Sequence, residues 1–324
     1  LLRSSHVGSF PLEYSLSNVE RIVVDLASLG LDVPPYPQLR SFIDIYLEPL
    51  VRAGLLVYEK GFFYGSPKDI SSWSGVVDVP EAKYAVEVIM RLKLRFKGLR
   101  APITGPFTLA SRIYLSRESA TLSNTLLTHN EVVKGFLKEY VSYFVEYMAD
   151  LGYNIVFLDE PALGFIIGAR RNLYNYSDTD IVEVLDYIAK YVANVEVGIH
   201  VCGRIHKRIL EILAEVSRIK YLSLEFHDNP TNIDVLDKSL LEKYDKIISP
   251  GIISTRNPRL ESEEEAYTLL EKIYNITGGR VDLISGDCGF GGLRGTLSNS
   301  EEEYRLALMK LEKVIKVCRR LTYV

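Results

Sequence analysis

VEVGIHVCG, residues 195–203, is the stretch on which the fold turns. Its apolar run predicts a strand over 195–201 that delivers His200 and Cys202 at its end. Residues i and i+2 of a strand point to the same face, so an imidazole and a thiol stand side by side. Two more ligand-type residues follow later strand-like runs: Glu225 in YLSLEF and Cys288 in SGDCGFGG. One imidazole, two thiolates and one carboxylate make a full tetrahedral shell for zinc, which accepts mixed nitrogen, sulfur and oxygen donors. Structural zinc usually draws on close-spaced pairs such as C-x-x-C. Donors scattered over three strand ends point instead to a metal at the open end of a barrel. Singly, a His or a Cys is more often a packed or hydrogen-bonded residue. The four together, at one end of the expected architecture, carry the reading.

Outward from this stretch, strand-like and helix-like patterns alternate. Strands are predicted at 5–10, 55–60, 100–104, 155–158, 195–201, 221–225, 246–252 and 281–285. Amphipathic helices are predicted at 19–29, 39–53, 81–96, 131–151, 178–193, 204–216, 262–276 and 300–320. Alternating units with near-continuous apolar strands mean a parallel sheet covered by helices. Eight such units in 324 residues predict an α/β fold, a (β/α)8 TIM barrel forming a single domain over 1–324. A doubly wound open sheet is the alternative. Its dinucleotide-binding form would need a G-x-G-x-x-G after the first strand, which this chain lacks. The Pro-rich stretch 33–37 and the segment 64–80 read as loops. The second contains Trp73, the sole tryptophan, and has the length of a lid or binding loop.

Hydrophobic content of 47% and charged content of 25% fit a soluble globular chain. A net charge of −4 with no long basic stripe gives no case for nucleic acid as a partner. The cluster Arg91, Lys93, Arg95, Lys97 and Arg100 reads as the solvated face and end of a helix. Three cysteines, an odd number, argue against a disulfide framework; Cys318, in a helical pattern, reads as a buried apolar residue. No signal-like segment and no membrane-length apolar run is seen, so a cytoplasmic location without membrane association is expected. The chain begins at Leu1 rather than Met.

Other segments carry chemistry at predicted strand ends. LDEPAL, 158–163, sets Asp159 beside Glu160. On a strand these face opposite ways, so at most one faces a pocket, where it suits a substrate amine. HVGSFP, 6–11, offers the backbone N–H groups and hydroxyl of Gly8 and Ser9, suited to a carboxylate or phosphate. ITGPFTLA, 103–110, and SPGIIST, 249–255, end the third and seventh strands. GDCGFGGLRG, 286–295, lacks the Lys-Ser/Thr of a phosphate loop and reads as a flexible collar that lets Cys288 reach a metal.

In order, HVGSFP, ITGPFT, LDEPAL, HVC, SLE and DCG resemble the catalytic half of the cobalamin-independent methionine synthase family. The resemblance spans nearly the whole chain. It implies a barrel with zinc on His200, Cys202, Glu225 and Cys288. It also implies homocysteine held by its carboxylate near Gly8 and Ser9 and by its amine near Asp159. The chain departs from the family's folate-using pattern at three positions. A pterin-stacking tryptophan matches Arg112, a proton-donating histidine matches Arg256, and a glutamate that helps hold the amino acid matches Gln38. The second, N-terminal barrel of folate-using members is not included in residues 1–324.

A folate N5 leaves as a basic nitrogen unless an acid protonates it. Arginine stays protonated throughout the working range and cannot serve, whereas a cobalt(I) corrinoid leaves without a proton. The expectation is therefore a zinc-dependent methyl transfer to the thiol of homocysteine, giving methionine. The expected donor is a methylcorrinoid or corrinoid protein, with a methyl-pterin as the lesser choice. His227 and His6 are the remaining proton sources, and Glu225 is the ligand expected to yield to the incoming sulfur. The rival readings are a zinc methyltransferase for another thiol such as coenzyme M, a metal-free decarboxylase on the related uroporphyrinogen decarboxylase fold, and a zinc-stabilised partner subunit for a separate folate-binding barrel.

Overall fold

Five strands form one continuous parallel ladder: Arg100–Thr104, Ile155–Asp159, Glu196–Val201, Ile219–Glu225 and Ile247–Gly251, adjacent in that order. The computed structural model describes residues 2–322. The middle strands are apolar almost throughout because both faces are covered, by helices outside and by the barrel interior inside; Ile155–Asp159 is buried at every position. The register sets Thr104 opposite Asp159, Asp159 opposite His200, and His200 opposite Ser223. Polar side chains of neighbouring strands therefore meet at one end, the C-terminal mouth where barrels carry their working residues.

Isolated parallel bridges close the ring: Ser4 to Ile284, Ser5 to Val33, Ser9 to Gln38, Pro35 to Arg100, Ile248 to Val281 and Gly251 to Ser285. Among the described residues eight segments thus make a parallel ring, a (β/α)8 barrel. One expected strand is displaced. The second ring position is 33–38, the stretch read as a loop, and not 55–60. Proline has no N–H to give a ladder, so Pro34, Pro35 and Pro37 leave only scattered bonds, such as Arg100 N–H to the Pro34 carbonyl at 2.9 Å. The 55–60 pattern does contain a strand, Val57–Glu59, but it pairs antiparallel with Phe62–Tyr64. Together with Ile113–Tyr114 these form a small separate sheet.

Amphipathic helices cover the ring, including Leu16–Leu29, Pro80–Leu92, Asp178–Lys190, Glu263–Thr277 and Ser300–Thr322. Ser177 with Asp180 and Ser262 with Glu265 form capping boxes that satisfy the first free N–H groups of two of them. The segment 64–80 holds a short helix, Pro67–Ile70, and Trp73 packs edge-on against Tyr140 at 5.0 Å. The barrel interior is filled by Val33, Ile155, Phe157, Tyr221 and Leu283. Arg100 belongs there too, which corrects its reading as a solvated helix end. It is fully buried, its guanidinium lies 3.7 Å over the Phe157 ring, and the guanidinium nitrogens have no hydrogen-bond partner among the described residues. Burial lowers its pKa to about 10, so the charge persists at neutral pH.

Candidate metal centre and substrate pocket

His200, near the end of Glu196–Val201, and Cys202, just beyond it, share a face as the i, i+2 spacing predicts. His200 Nε2 lies 3.0 Å from Cys202 Sγ, which lies 3.5 Å from Cys288 Sγ. The three donor atoms are all within 4.8 Å of one another. A tetrahedron with zinc–sulfur bonds of about 2.3 Å and zinc–nitrogen bonds of about 2.0 Å has donor–donor edges of roughly 3.5–3.8 Å. The observed spacings are within about half an ångström of that, so this donor set fits zinc. Ser223 on the next strand lies 3.0 Å from His200 Nδ1 and orients the ring with Nε2 toward the thiols. The thiols are a coupled pair. The hydrogen bond from Cys202, aided by His200, holds Cys288 well below the usual thiol range, and the same contact pushes Cys202 well above it.

Glu225 is not part of this trio. It ends Ile219–Glu225 with no exposed surface, and its carboxylate is already engaged. Arg256 Nη2 lies 3.1 Å from both oxygens, and Asn229 Nδ2 donates to Oε2 at 2.6 Å.

Beside the trio is a cavity of about 280 Å³, lined in part by Ser9, Gln38, Asp159, His200, Cys202 and Cys288. Four of the expected residues therefore meet the thiols in one chamber. Asp159 and Glu160 do face opposite ways. Asp159 lines the chamber, its Oδ1 has no hydrogen-bond partner among the described residues, and burial pushes its pKa up to about 7. Glu160 turns outward and accepts from the Phe107 and Thr108 N–H groups at 3.0 and 2.9 Å, and from Thr108 Oγ1 at 2.6 Å. It thereby ties its strand end to the start of helix Pro106–Ala110. Gly8 does not line the chamber; a Cβ there would stand 2.7 Å from Gln38 Oε1, so its bareness makes room for Gln38.

The glycine-rich stretch after the eighth ring position is packed, which corrects its reading as a flexible collar. Gly291 N–H donates to Ser9 Oγ at 3.1 Å, and a Cβ on Gly289 would stand 2.0 Å from that oxygen. Phe290 is buried and stacks at 4.8 Å on His6. His6 is no proton source: it is buried, its Nε2 lies 3.0 Å from the Ser9 carbonyl, and burial lowers its pKa to about 3. His227 lies outside the chamber lining, with Nδ1 3.0 Å from Asp228 and Nε2 3.6 Å from Glu261.

Arg112, at the expected pterin-stacking position, lines a neighbouring cleft with Phe62, Phe63 and Tyr114, and this cleft shares Ser41 and Phe42 with the chamber. Sequence reasoning missed three residues. Arg40 and Arg294 line the chamber; Arg294 Nη2 also donates to the Leu12 and Leu39 carbonyls, both at 2.9 Å. Buried Asn232 binds the Gly203 and Glu225 carbonyls at 2.9 and 2.7 Å, joining the loops after two strands. The glycines around Arg294 signal a site loop, but nothing in the local sequence marks Asn232.

Known proteins resemble this chain in sequence and in fold. The Methanothermobacter thermautotrophicus protein named methionine synthase is 27% identical over 225 residues, covering 67% of this chain and 64% of its own length. The Lactococcus lactis subsp. cremoris protein named 5-methyltetrahydropteroyltriglutamate–homocysteine methyltransferase is 22% identical, covering 60% of this chain and 24% of its own. The matched region thus spans under two thirds of either relative. The solved structure of a B12-independent methionine synthase from a Shewanella species, in complex with selenomethionine, superposes over the full length of both chains with TM-score 0.66 at 16% identity, which establishes the shared fold. Residues 67–310 match the family described as cobalamin-independent synthase, catalytic domain, and the chain belongs to that family.

Proposed function

We propose that this chain transfers a methyl group to the thiol of homocysteine, forming methionine, and that residues 1–324 act as one methyltransferase domain. The observation that carries the reading is the His200–Cys202–Cys288 trio opening onto a chamber that also holds the unpartnered Asp159 carboxylate. Zinc, when bound by the trio, supplies the Lewis acidity that keeps a thiol deprotonated at neutral pH. The chain's own residues do the rest. Asp159 receives the substrate ammonium, whose charge draws the aspartate's raised pKa back down. The Ser9 hydroxyl and nearby backbone, with Gln38, receive the substrate carboxylate. Val7, Phe42 and Pro161 wall the chamber and limit water. At about 280 Å³ it suits one small amino acid. Positioning the sulfur for in-line attack then provides most of the rate.

For the donor, the sequence expectation of a methylcorrinoid gives way to a methylated folate or pterin. The family is described as cobalamin-independent and the lactococcal relative is named for a methylated pteroyltriglutamate. The cleft of Phe62, Phe63, Tyr114 and Arg112 offers a pterin an aromatic wall and a cation. A corrinoid donor stays as the second reading because Arg256, which cannot donate a proton, occupies the position of the family's acid. Three free cysteines suit a reducing compartment such as the cytosol. No helix among the described residues is long and apolar enough to cross a membrane.

The test is methionine formation by the zinc-loaded chain from homocysteine, with 5-methyltetrahydropteroyltriglutamate and with methylcobalamin in separate reactions. Turnover with the folate supports the reading. Turnover with methylcobalamin alone reverses the donor assignment. No methionine from either donor overturns the assigned activity.

A further inference from the structure

Glu225 is the one expected ligand that stands apart, and the reason is visible in its partners. Its buried carboxylate is held by Arg256 Nη2 at 3.1 Å from each oxygen and by Asn229 at 2.6 Å. Arg256 is itself anchored, its Nε 3.2 Å from Asp228 Oδ2. Asp228 is fixed in turn by the Ser254 hydroxyl at 2.9 Å and by its own N–H, which donates to Asp287 Oδ2 at 2.6 Å. A carboxylate accepting charge-assisted hydrogen bonds from a guanidinium has less electron density to give a metal.

We propose that Arg256 is a positioning residue that withholds Glu225 from the metal. The chain then supplies three ligands, His200, Cys202 and Cys288, and keeps the fourth position open for the substrate sulfur. This rests on the zinc reading above. Two thiolates and one imidazole with an open position form a donor set used by catalytic zinc sites. Homocysteine would then bind without displacing a protein ligand, which changes the expected role of Glu225: it neutralises Arg256 and does not leave the metal.

The test uses the full chain loaded with zinc, without turnover. Zinc affinity is measured by chelator competition, and coordination by X-ray absorption. Glu225→Gln is expected to keep the two-sulfur, one-imidazole spectrum and an affinity within about threefold of the unmodified chain. A residue that ligates should cost about tenfold or more, since even partners one step removed cost 10–100-fold. Arg256→Gln, at a half-exposed position, is expected to release Glu225 onto the metal and raise affinity about tenfold, with circular dichroism confirming that the variant folds. That gain should vanish in the double variant. A loss above about threefold in Glu225→Gln, or a gain below about threefold in Arg256→Gln, overturns the inference. Absence of zinc binding by the unmodified chain would overturn the metal reading itself, and this inference with it.

Discussion

Asp159 and His200 stand on neighbouring strands paired over five residues of a ladder, whereas Ser9 and Gln38 face each other across a single bridge. The two sides of the barrel mouth are held by different means. On the ladder side, backbone hydrogen bonds fix spacing, and two of the three metal-type donors, His200 and Cys202, stand there, where a metal shell's tolerance of only about half an ångström is best met; Cys288 reaches them from the bridged side. On the other side, where prolines interrupt the ladder, side chains do the fixing. Arg294 clasps the 12 and 39 carbonyls, His6 meets the Ser9 carbonyl, and Gly291 reaches Ser9 Oγ. The ladder side should therefore lose chemistry without losing structure when a side chain is removed. The clasped side should lose structure.

The largest effect tests the metal donors, Cys202 at the ladder and Cys288 on the bridged side. Cys202→Ser and Cys288→Ser should each weaken zinc binding at least about a hundredfold and abolish methyl transfer. Metal content by elemental analysis should fall in both, while circular dichroism and the urea midpoint stay unchanged in Cys202→Ser; unfolding of that variant would erase the contrast. Asp159→Asn should follow, raising KM for homocysteine about 10–100-fold, the value of a hydrogen bond to a charged group. A thiol without the amino group should be affected less than about threefold, and equal losses would remove Asp159 from amine binding. Gly289→Ala strikes the seam between the two sides. Its Cβ would stand 2.0 Å from Ser9 Oγ and 2.9 Å from the Ser9 amide, so a loss of about 1–3 kcal/mol is expected in urea unfolding.

The smallest effect concerns His6. Its folded pKa of about 3 lies below the ordinary value of 6.5, so its contribution is present above pH 6.5 and is lost as pH falls toward 3. The difference in stability between the unmodified chain and His6→Asn should shrink by about 2 kcal/mol from pH 7 to pH 5. The difference is the proper readout. Glu160, which burial lifts to about 8, gives both proteins a slope of opposite sign, since its folded form holds a proton that the unfolded chain has released. A pH-independent difference would mean that His6 is not kept neutral.

The same division explains what the sequence could reveal. Strands such as 155–158 and 195–201 announce themselves because burial on both faces demands apolar runs, and the His-x-Cys spacing follows directly from strand geometry. The second ring position hid behind Pro34, Pro35 and Pro37, whose missing N–H groups make a strand position look like a loop. Val57–Glu59 was legible as a strand but not as part of a hairpin, because local pattern does not reveal a pairing partner. Glu225 was legible as a strand-end acid. Its capture by Arg256, 31 residues later, depends on a loop path that no periodicity encodes. Arg100 looked like the last of a basic run because its burial depends on the ring around it.

Arg100 has a consequence for anyone who would re-engineer the chain. A guanidinium sealed inside a barrel, with an aromatic face for company and no carboxylate bonded to it, is the kind of group whose replacement by an apolar residue of similar length strengthens a protein. Arg100→Met should raise stability by about 1–4 kcal/mol, visible as a higher melting temperature. That outcome would mean that stability does not account for the arginine. Thermostabilised versions of this protein should be reachable through the barrel floor, and a fall in methyl transfer as the melting point rises would show the trade that keeps a cation beneath the site.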